Sequence, residues 1–323
     1  MLHSIAAKRG VMVVLALVLF ASLTSFAAGP SEVWLKINLP NSPSARANMV
    51  MSYDPAGKNI LLFGGYDGTY LNDTWIYTGG TWTQLNPVNS PTPRCAGAIA
   101  YDSNTQTMVM FGGFNGTQYM GDTWIWDGRA QTWTEANPTS VPKAVTLPML
   151  FTDPVNGHAA MIGGYDGNFY HNEHWQWTGT DWTQRHPKTA FWARGAAVVA
   201  NDYGHRQVVI FGGLADVNPN NTWTWNGVDW TMQNPSTQPP WLYYTPAAFD
   251  PVLNEVIVFA GSDGLNTTWA WTGNDWVSVP TLHSPSIRES HGMAYDNALQ
   301  QLVIFGGNNR VTYLDGTYKL VKR

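Results

Sequence analysis

The sequence predicts an all-β fold assembled from repeated, strand-rich units, and three observations carry that expectation. The 323 residues include 31 Gly, 20 Pro and 17 Trp but are only 12% charged, a mixture suited to short strands and tight turns rather than amphipathic helices. An apolar run ending in a pair of small residues recurs six times; the first members of the pairs are Gly64, Gly112, Gly163, Gly212, Ala260 and Gly306, spaced 48, 51, 49, 48 and 46 residues apart. The first five copies are each followed by two aromatic residues at i and i+2 and then a further Trp, as in Trp75, Tyr77 and Trp82 or Trp223, Trp225 and Trp230. A repeat at so regular a period decides the architecture before any local detail does.

Each element of the unit has a physical reason. A hairpin with Asp at its start precedes each apolar run: Asp54, Asp102, Asp153, Asp202, Asp250 and Asp296. Aspartate there forms a turn by bonding its own backbone. The apolar run, Ile60-Leu61-Leu62-Phe63 in the first copy, reads as a strand, and the Gly pair lets the backbone leave it in a conformation that side chains resist. Residues i and i+2 of the next strand share a face, so the aromatic pair can pack on a neighbouring unit. These six copies resemble Kelch repeats over about residues 31 to 323, and the resemblance implies a six-bladed β-propeller with four strands per blade. The sixth copy runs out after Asp315-Gly316-Thr317-Tyr318, whereas Val33-Trp34-Leu35-Lys36-Ile37-Asn38-Leu39-Pro40 matches the fourth-strand pattern of Thr81-Trp82-Thr83-Gln84-Leu85-Asn86-Pro87. An N-terminal strand is therefore expected to complete the last blade and close the ring.

Residues 1–28 read differently. Lys8 and Arg9 precede an apolar run from Val11 to Phe20 and small residues around Ala27 and Ala28, the pattern of a secretory signal peptide; an uncleaved anchor is the alternative. The expectation is an exported propeller of residues 29–323, periplasmic, cell-surface or extracellular, with no membrane span after cleavage. Cys95 is the single cysteine, which rules out an internal disulfide and reads as a small buried thiol. A net charge of −5 with scattered Lys and Arg argues against nucleic acid or an anionic membrane as partner.

Candidate ligand-binding residues sit where the chain approaches each first strand. Arg46, Arg94, Arg194 and Arg288 each lie eight residues before the hairpin Asp of their own copy; Val145 and Leu242 replace them in the third and fifth. Four guanidinium groups around one axis can form an anion-attracting funnel, or each can bond neighbouring carbonyls within the repeat, and the sequence supports both. The repeat accounts for all tryptophans except Trp192 and Trp241, which flank the fourth and fifth first strands and can stack on a sugar or brace the blades. Arg288-Glu289 adds a carboxylate to the same region. His171, Glu173 and His174 cluster in the third copy, but their spacing on an extended strand suits no metal, and none is expected.

The resemblance also implies that the face carrying these approach segments is the usual binding face. Galactose oxidase shares the architecture and would imply copper held by two His, two Tyr and a Tyr–Cys crosslink. Only His291 falls within a first strand here, so a copper-radical oxidase is not expected. The bacterial sialic-acid mutarotases are similar in size, export and blade number, and would imply proton exchange near a carboxylated sugar. No nucleophilic triad, phosphate loop or paired-carboxylate motif occurs. The reading is a ligand-binding or protein-interaction module without a cofactor, for carbohydrate, an acidic small molecule or another protein. A mutarotase-like carbohydrate isomerase and a structural envelope or surface protein are the alternatives.

Overall fold

The computed structural model describes residues 32–217, 219–259, 261 and 264–322; the expected leader at 1–28 lies outside the described residues. Six sheets, antiparallel in all their blade strands, surround a central axis. Blade one runs from the inner strand Val50–Asp54 through Asn59–Tyr66 and Tyr70–Thr78 to the outer strand Thr81–Leu85, and blades two to five repeat that order. Blade six takes its inner three strands from Gly292–Asp296, Gln301–Phe305 and Thr317–Lys322, and its fourth from the other end of the chain. Glu32–Ile37 pairs antiparallel with Thr317–Lys322 over six residues, as the fourth-strand pattern predicts. One feature exceeds expectation: Thr281–Leu282, in the linker leaving blade five, adds a short parallel strand beside Glu32–Val33. The closing strand is thus held from both sides.

The burial pattern follows from blades packed face to face. Second strands are covered on both faces and are apolar along their middle, as in Ile60, Leu61, Leu62 and Phe63, all buried. Outer strands bury one Trp and expose its neighbours. That Trp is the joint between blades. Its indole Nε1 donates to a Thr hydroxyl in the third strand of the preceding blade: Trp133 to Thr74, Trp182 to Thr123, Trp276 to Thr222, Trp34 to Thr268 and Trp82 to Thr317, at 2.8–3.1 Å. The N-terminal Trp34 makes the same joint as its counterparts. At the remaining seam, between blades three and four, the Thr position holds His174 and Trp230 Nε1 finds no partner.

At the axis a circle of backbone bonds ties the blades. The amide of Asn48 donates to the carbonyl of Ser290, Ser290 to Tyr244, Tyr244 to Ala196, Ala196 to Leu147, Leu147 to Ala96, and Ala96 back to Asn48. The six bonds, 2.7–3.2 Å long, form a closed circle just before the inner strands begin. Each member has φ between 50° and 59°, although none is glycine. Left-handed backbone costs such residues roughly 1–2 kcal/mol each, and the circle is what that strain accompanies. At the other end of the inner strands the hairpin aspartates accept turn amides as expected, for example Asp153 from Val155 and Asn156, and Asp250 from Val252 and Leu253.

Two outcomes follow from the seams. Trp34→Ala removes a fully buried indole and its hydroxyl bond, and should cost about 3–5 kcal/mol in denaturant unfolding; unchanged stability would show that the N-terminal strand does not close the ring. His174 is held neutral by burial, which lowers its pKa to about 4 against the opposing pull of Asp153. An unfolded chain protonates this His near pH 6.5, so stability is complete above that pH and falls towards pH 4, by about 3 kcal/mol at most. His291, buried beside Arg288, is lowered too and adds a loss of the same sign. His174→Thr should flatten the acid limb of unfolding free energy measured at pH 7 and pH 4.5; an unaltered limb would contradict this assignment.

Candidate functional site

The backbone circle divides the axis into two ends. On one side lie the approach segments and the loops after the Gly pairs, here termed the loop face; on the other lie the Asp hairpins. The four sequence-predicted arginines all belong to the loop-face end, and all are buried. Their geometry is the same in each blade. Nη1 of Arg46, Arg94, Arg194 and Arg288 donates to the carbonyl of Gly64, Gly112, Gly212 and Gly306, at 2.9–3.3 Å. Nε donates to the carbonyl two residues upstream, at Ser44, Thr92, Trp192 and Ser286. The main chain of the same residue joins the blade before: Gly65 donates to Arg94 O at 3.0 Å, and a Cβ on Gly64, whose φ is +63°, would stand 2.7 Å from that oxygen. Each arginine is thus a staple, with its fork turned into the blade, and of the two roles open to it the structure places it in the repeat-internal one.

The partner of the fork explains the variation between blades. Arg46 and Arg94 pair with both oxygens of Asp73 and Asp122. That pairing, outweighing the cost of burial, holds the Asp122 carboxyl below the usual range. Blade four has Asn221 at this position; Arg194 Nη1 bonds its amide oxygen at 2.9 Å, Nη2 has no partner, and burial lowers the guanidinium to about 10. Blade six has Gly316, and Arg288 lies over the Tyr318 ring at 4.7 Å instead. Blades three and five, lacking the arginine, carry Glu173 and Thr267.

What the loop face does present is aromatic. Seven rings run across blades six, one, two and three, in the order Tyr313, Tyr66, Tyr70, Phe114, Tyr119, Tyr165, Tyr170, with centroids 4.8–6.2 Å apart and contacts alternately edge to face and tilted. All are half-buried. They come from the loop after each Gly pair, where turns at Asp67, Asn115 and Asp166 accept the amides of Thr69, Thr117 and Asn168 and fix the loop conformation. Tyr70 and Tyr119 lie against Gly116 and Gly167 of the next blade, where an added Cβ would come within 2.6 Å of the ring. Sequence reasoning passed over this arc, although its signal repeats in Gly65-Tyr66-Asp67-Gly68-Thr69-Tyr70, Gly113-Phe114-Asn115-Gly116-Thr117-Gln118-Tyr119 and Gly164-Tyr165-Asp166-Gly167-Asn168-Phe169-Tyr170.

Trp241 joins this face through Tyr243 and Tyr244, with centroid separations of 4.8 and 5.7 Å, and its indole donates to Gly213 O. Trp192 is 55% exposed and packs on Trp223; among the described residues no ring contact joins it to Trp241. Tyr244 is pushed up to about 12 by burial and by the neighbouring Tyr170, Glu289 and Cys95, so its hydroxyl stays a donor. Burial raises the Cys95 thiol to about 11, which keeps it from acting as a nucleophilic thiolate near neutral pH. Glu289 has Arg310 Nε 3.7 Å from its carboxylate. In blade three His171 lies between Asp166 and Glu173, at 3.0 and 3.2 Å, while His174 is buried on Trp225. The two imidazoles therefore diverge, and no group of three His, Cys, Asp or Glu among the described residues could hold a metal. The face offers stacking planes, hydroxyl donors and the carboxylates of Asp67, Asp166, Glu173 and Glu289.

A family model for the KLHDC2/KLHL20/DRC7 Kelch-repeats domain matches residues 30–183. The solved structure of YjhT superposes with a TM-score of 0.67 at 14% sequence identity, covering 86% of this chain and 95% of that one, a likeness of fold. No curated protein matches the chain by sequence.

The arginine geometry generates its own check. Asn221→Asp supplies Arg194 with the carboxylate that blades one and two already have, and should raise stability by about 1.5–3 kcal/mol in urea unfolding. Destabilisation by this change would show that the open fork serves something other than the blade.

Proposed function

The chain is a Kelch-repeat β-propeller, and from that premise we propose that it is a noncatalytic binding module that stacks carbohydrate on the aromatic arc of its loop face. The fold itself suggests a binding or interaction role. The arc carries the finer reading: seven half-buried rings expose π-faces and tyrosine hydroxyls side by side, the combination that sugars meet with their C–H faces and their hydroxyl rims. Trp192 extends the apolar surface on blade four. Because the arginine forks are turned inward, uncharged sugars fit better than acidic ones.

A second reading, a carbohydrate isomerase, draws on one observation. Glu289 and the protonated Tyr244 are electrostatic neighbours at the base of the arc, a carboxylate and a phenol of the kind that proton exchange at an anomeric centre requires. The readings separate on chemistry: a binder leaves anomer ratios at their uncatalysed rate, whereas an isomerase speeds them and loses that activity in Glu289→Gln.

For the binding reading, Tyr119→Ala should weaken a neutral oligosaccharide by roughly 3–10-fold in calorimetry, the worth of one aromatic contact, and uronic or sialic acids should bind no more tightly than neutral sugars. Equal affinity in Tyr119→Ala and Tyr70→Ala would move the site off the arc. We propose further that the chain is exported, on the strength of its N-terminal 28 residues. Mass spectrometry of the exported protein should find a new N-terminus near Ala28 or Gly29, and an intact Met1 would contradict cleavage.

A further inference from the structure

The other end of the axis holds a cavity of about 920 Å³, lined by the inner strands of all six blades and by residues of their hairpins. The backbone circle bounds it on the loop-face side, so its lining passes from Met49 and Thr245 near that circle down to Tyr53 and Asn297 at the hairpins. Its volume lies within the range of small-molecule sites, ~300–1,000 Å³. The wall is apolar at mid-depth, with Ala98, Leu150, Val199, Ala247 and Met293. Three of the polar groups among them are already spent: Asn201 exchanges bonds with the Thr152 backbone, Thr152 Oγ1 donates to Tyr101 O and Thr245 Oγ1 to Tyr243 O. A chamber with that wall offers water little and an apolar body much.

The mouth differs from the wall. Tyr53, Tyr101, Phe249 and Tyr295 line it, each one residue before a hairpin aspartate. The aspartates Asp54, Asp102, Asp153, Asp202, Asp250 and Asp296 come one from each blade, so six carboxyl groups surround the axis here. Two of them, Asp153 and Asp202, line the cavity directly, against the single base Arg206. Their Oδ1 atoms serve the turns, and the Oδ2 atoms of Asp54, Asp102 and Asp153 accept from the next blade, but in blade six the hydroxyl of Tyr295, which is 6% exposed and lines the cavity, has no partner. Carboxylates of one sign around a low-dielectric opening focus a negative potential along it, and aromatic faces add attraction for cations.

We propose that this chamber is a second ligand site, independent of the loop face, for a small organic cation with an apolar body, a quaternary ammonium or a protonated amine. The body fills the alanine-rich wall and the charge sits at the Tyr and Asp mouth. The backbone circle makes the site blind, so ligand comes and goes only from the hairpin face.

Calorimetric titration with benzyltrimethylammonium tests this, with benzenesulfonate as the anionic control. The cation should bind at least about tenfold more tightly than the anion, and more weakly as salt rises. Asp202→Asn, at a carboxylate that lines the cavity and with the Oδ1 acceptor for the His205 amide kept, should weaken the cation about threefold or more. Val199→Trp should fill the chamber and abolish binding, with Ala98→Leu as the milder variant if the first does not fold. Tyr119→Ala on the loop face should leave ammonium binding unchanged. Equal affinity for the sulfonate, no heat from the ammonium up to roughly 10 mM, where even weak millimolar sites register, or full binding by a folded filled-chamber variant would each overturn the proposal.

Discussion

The circle of six backbone hydrogen bonds around the axis is the constraint from which the rest of the molecule is laid out. It links each blade to both neighbours at the radius where side chains have least room, and it requires six non-glycine residues to adopt left-handed backbone at once. A set of bonds like this is satisfied only when the ring is complete, because opening one blade leaves a donor and an acceptor unmatched at the two sides of the gap. The N-terminal strand therefore matters beyond blade six: by seating Trp34 on Thr268 it helps hold the last gap shut. The same circle marks the boundary between two surfaces, an aromatic loop face and a chamber lined by the inner strands down to the hairpins.

Further out, the blades are joined by two polar devices whose exceptions are informative. The indole-to-threonine bond recurs at five seams and fails at the sixth, where His174 and Trp230 are buried without it. The arginine staple is complete with a carboxylate in blades one and two, partial in blades four and six, and replaced in three and five. Blades with incomplete devices still pack, because clusters of buried apolar side chains span neighbouring blades; one such cluster joins Phe151 and Ile162 of blade three to Ile210 and Trp225 of blade four. Polar joints set alignment, while the apolar faces supply most of the cohesion.

The fold was legible because its signals are local and repeated: the apolar runs, the Gly pairs and the hairpin aspartates each report on a few consecutive residues. Ring closure was legible for the same reason, since Val33 to Pro40 copies a pattern found in an intact blade. The arginines were visible as a spacing, but their role depends on a residue about one strand pair further on. Only the joint variation of Arg46 with Asp73, Arg94 with Asp122 and Arg194 with Asn221 exposes it. The aromatic arc was missed because the contacts that join it into one surface cross blades: Tyr70 meets Phe114 and Tyr119 meets Tyr165, pairs that no single repeat contains. Counting surplus tryptophans found two residues of the loop face without showing that they lie in separate clusters. The short Thr281–Leu282 addition to the closing sheet had no pattern to betray it, being two residues placed by the path of a linker.

The central claim is that the axis is closed by a continuous backbone circle, and amide hydrogen exchange reads it directly. The amides of Asn48, Ala96, Leu147, Ala196, Tyr244 and Ser290 should exchange together and as slowly as those of the second strands, because none can open without breaking the circle. Rapid exchange of these amides while the second strands stay protected would contradict a closed axis, and with it the separation of the loop face from the hairpin chamber.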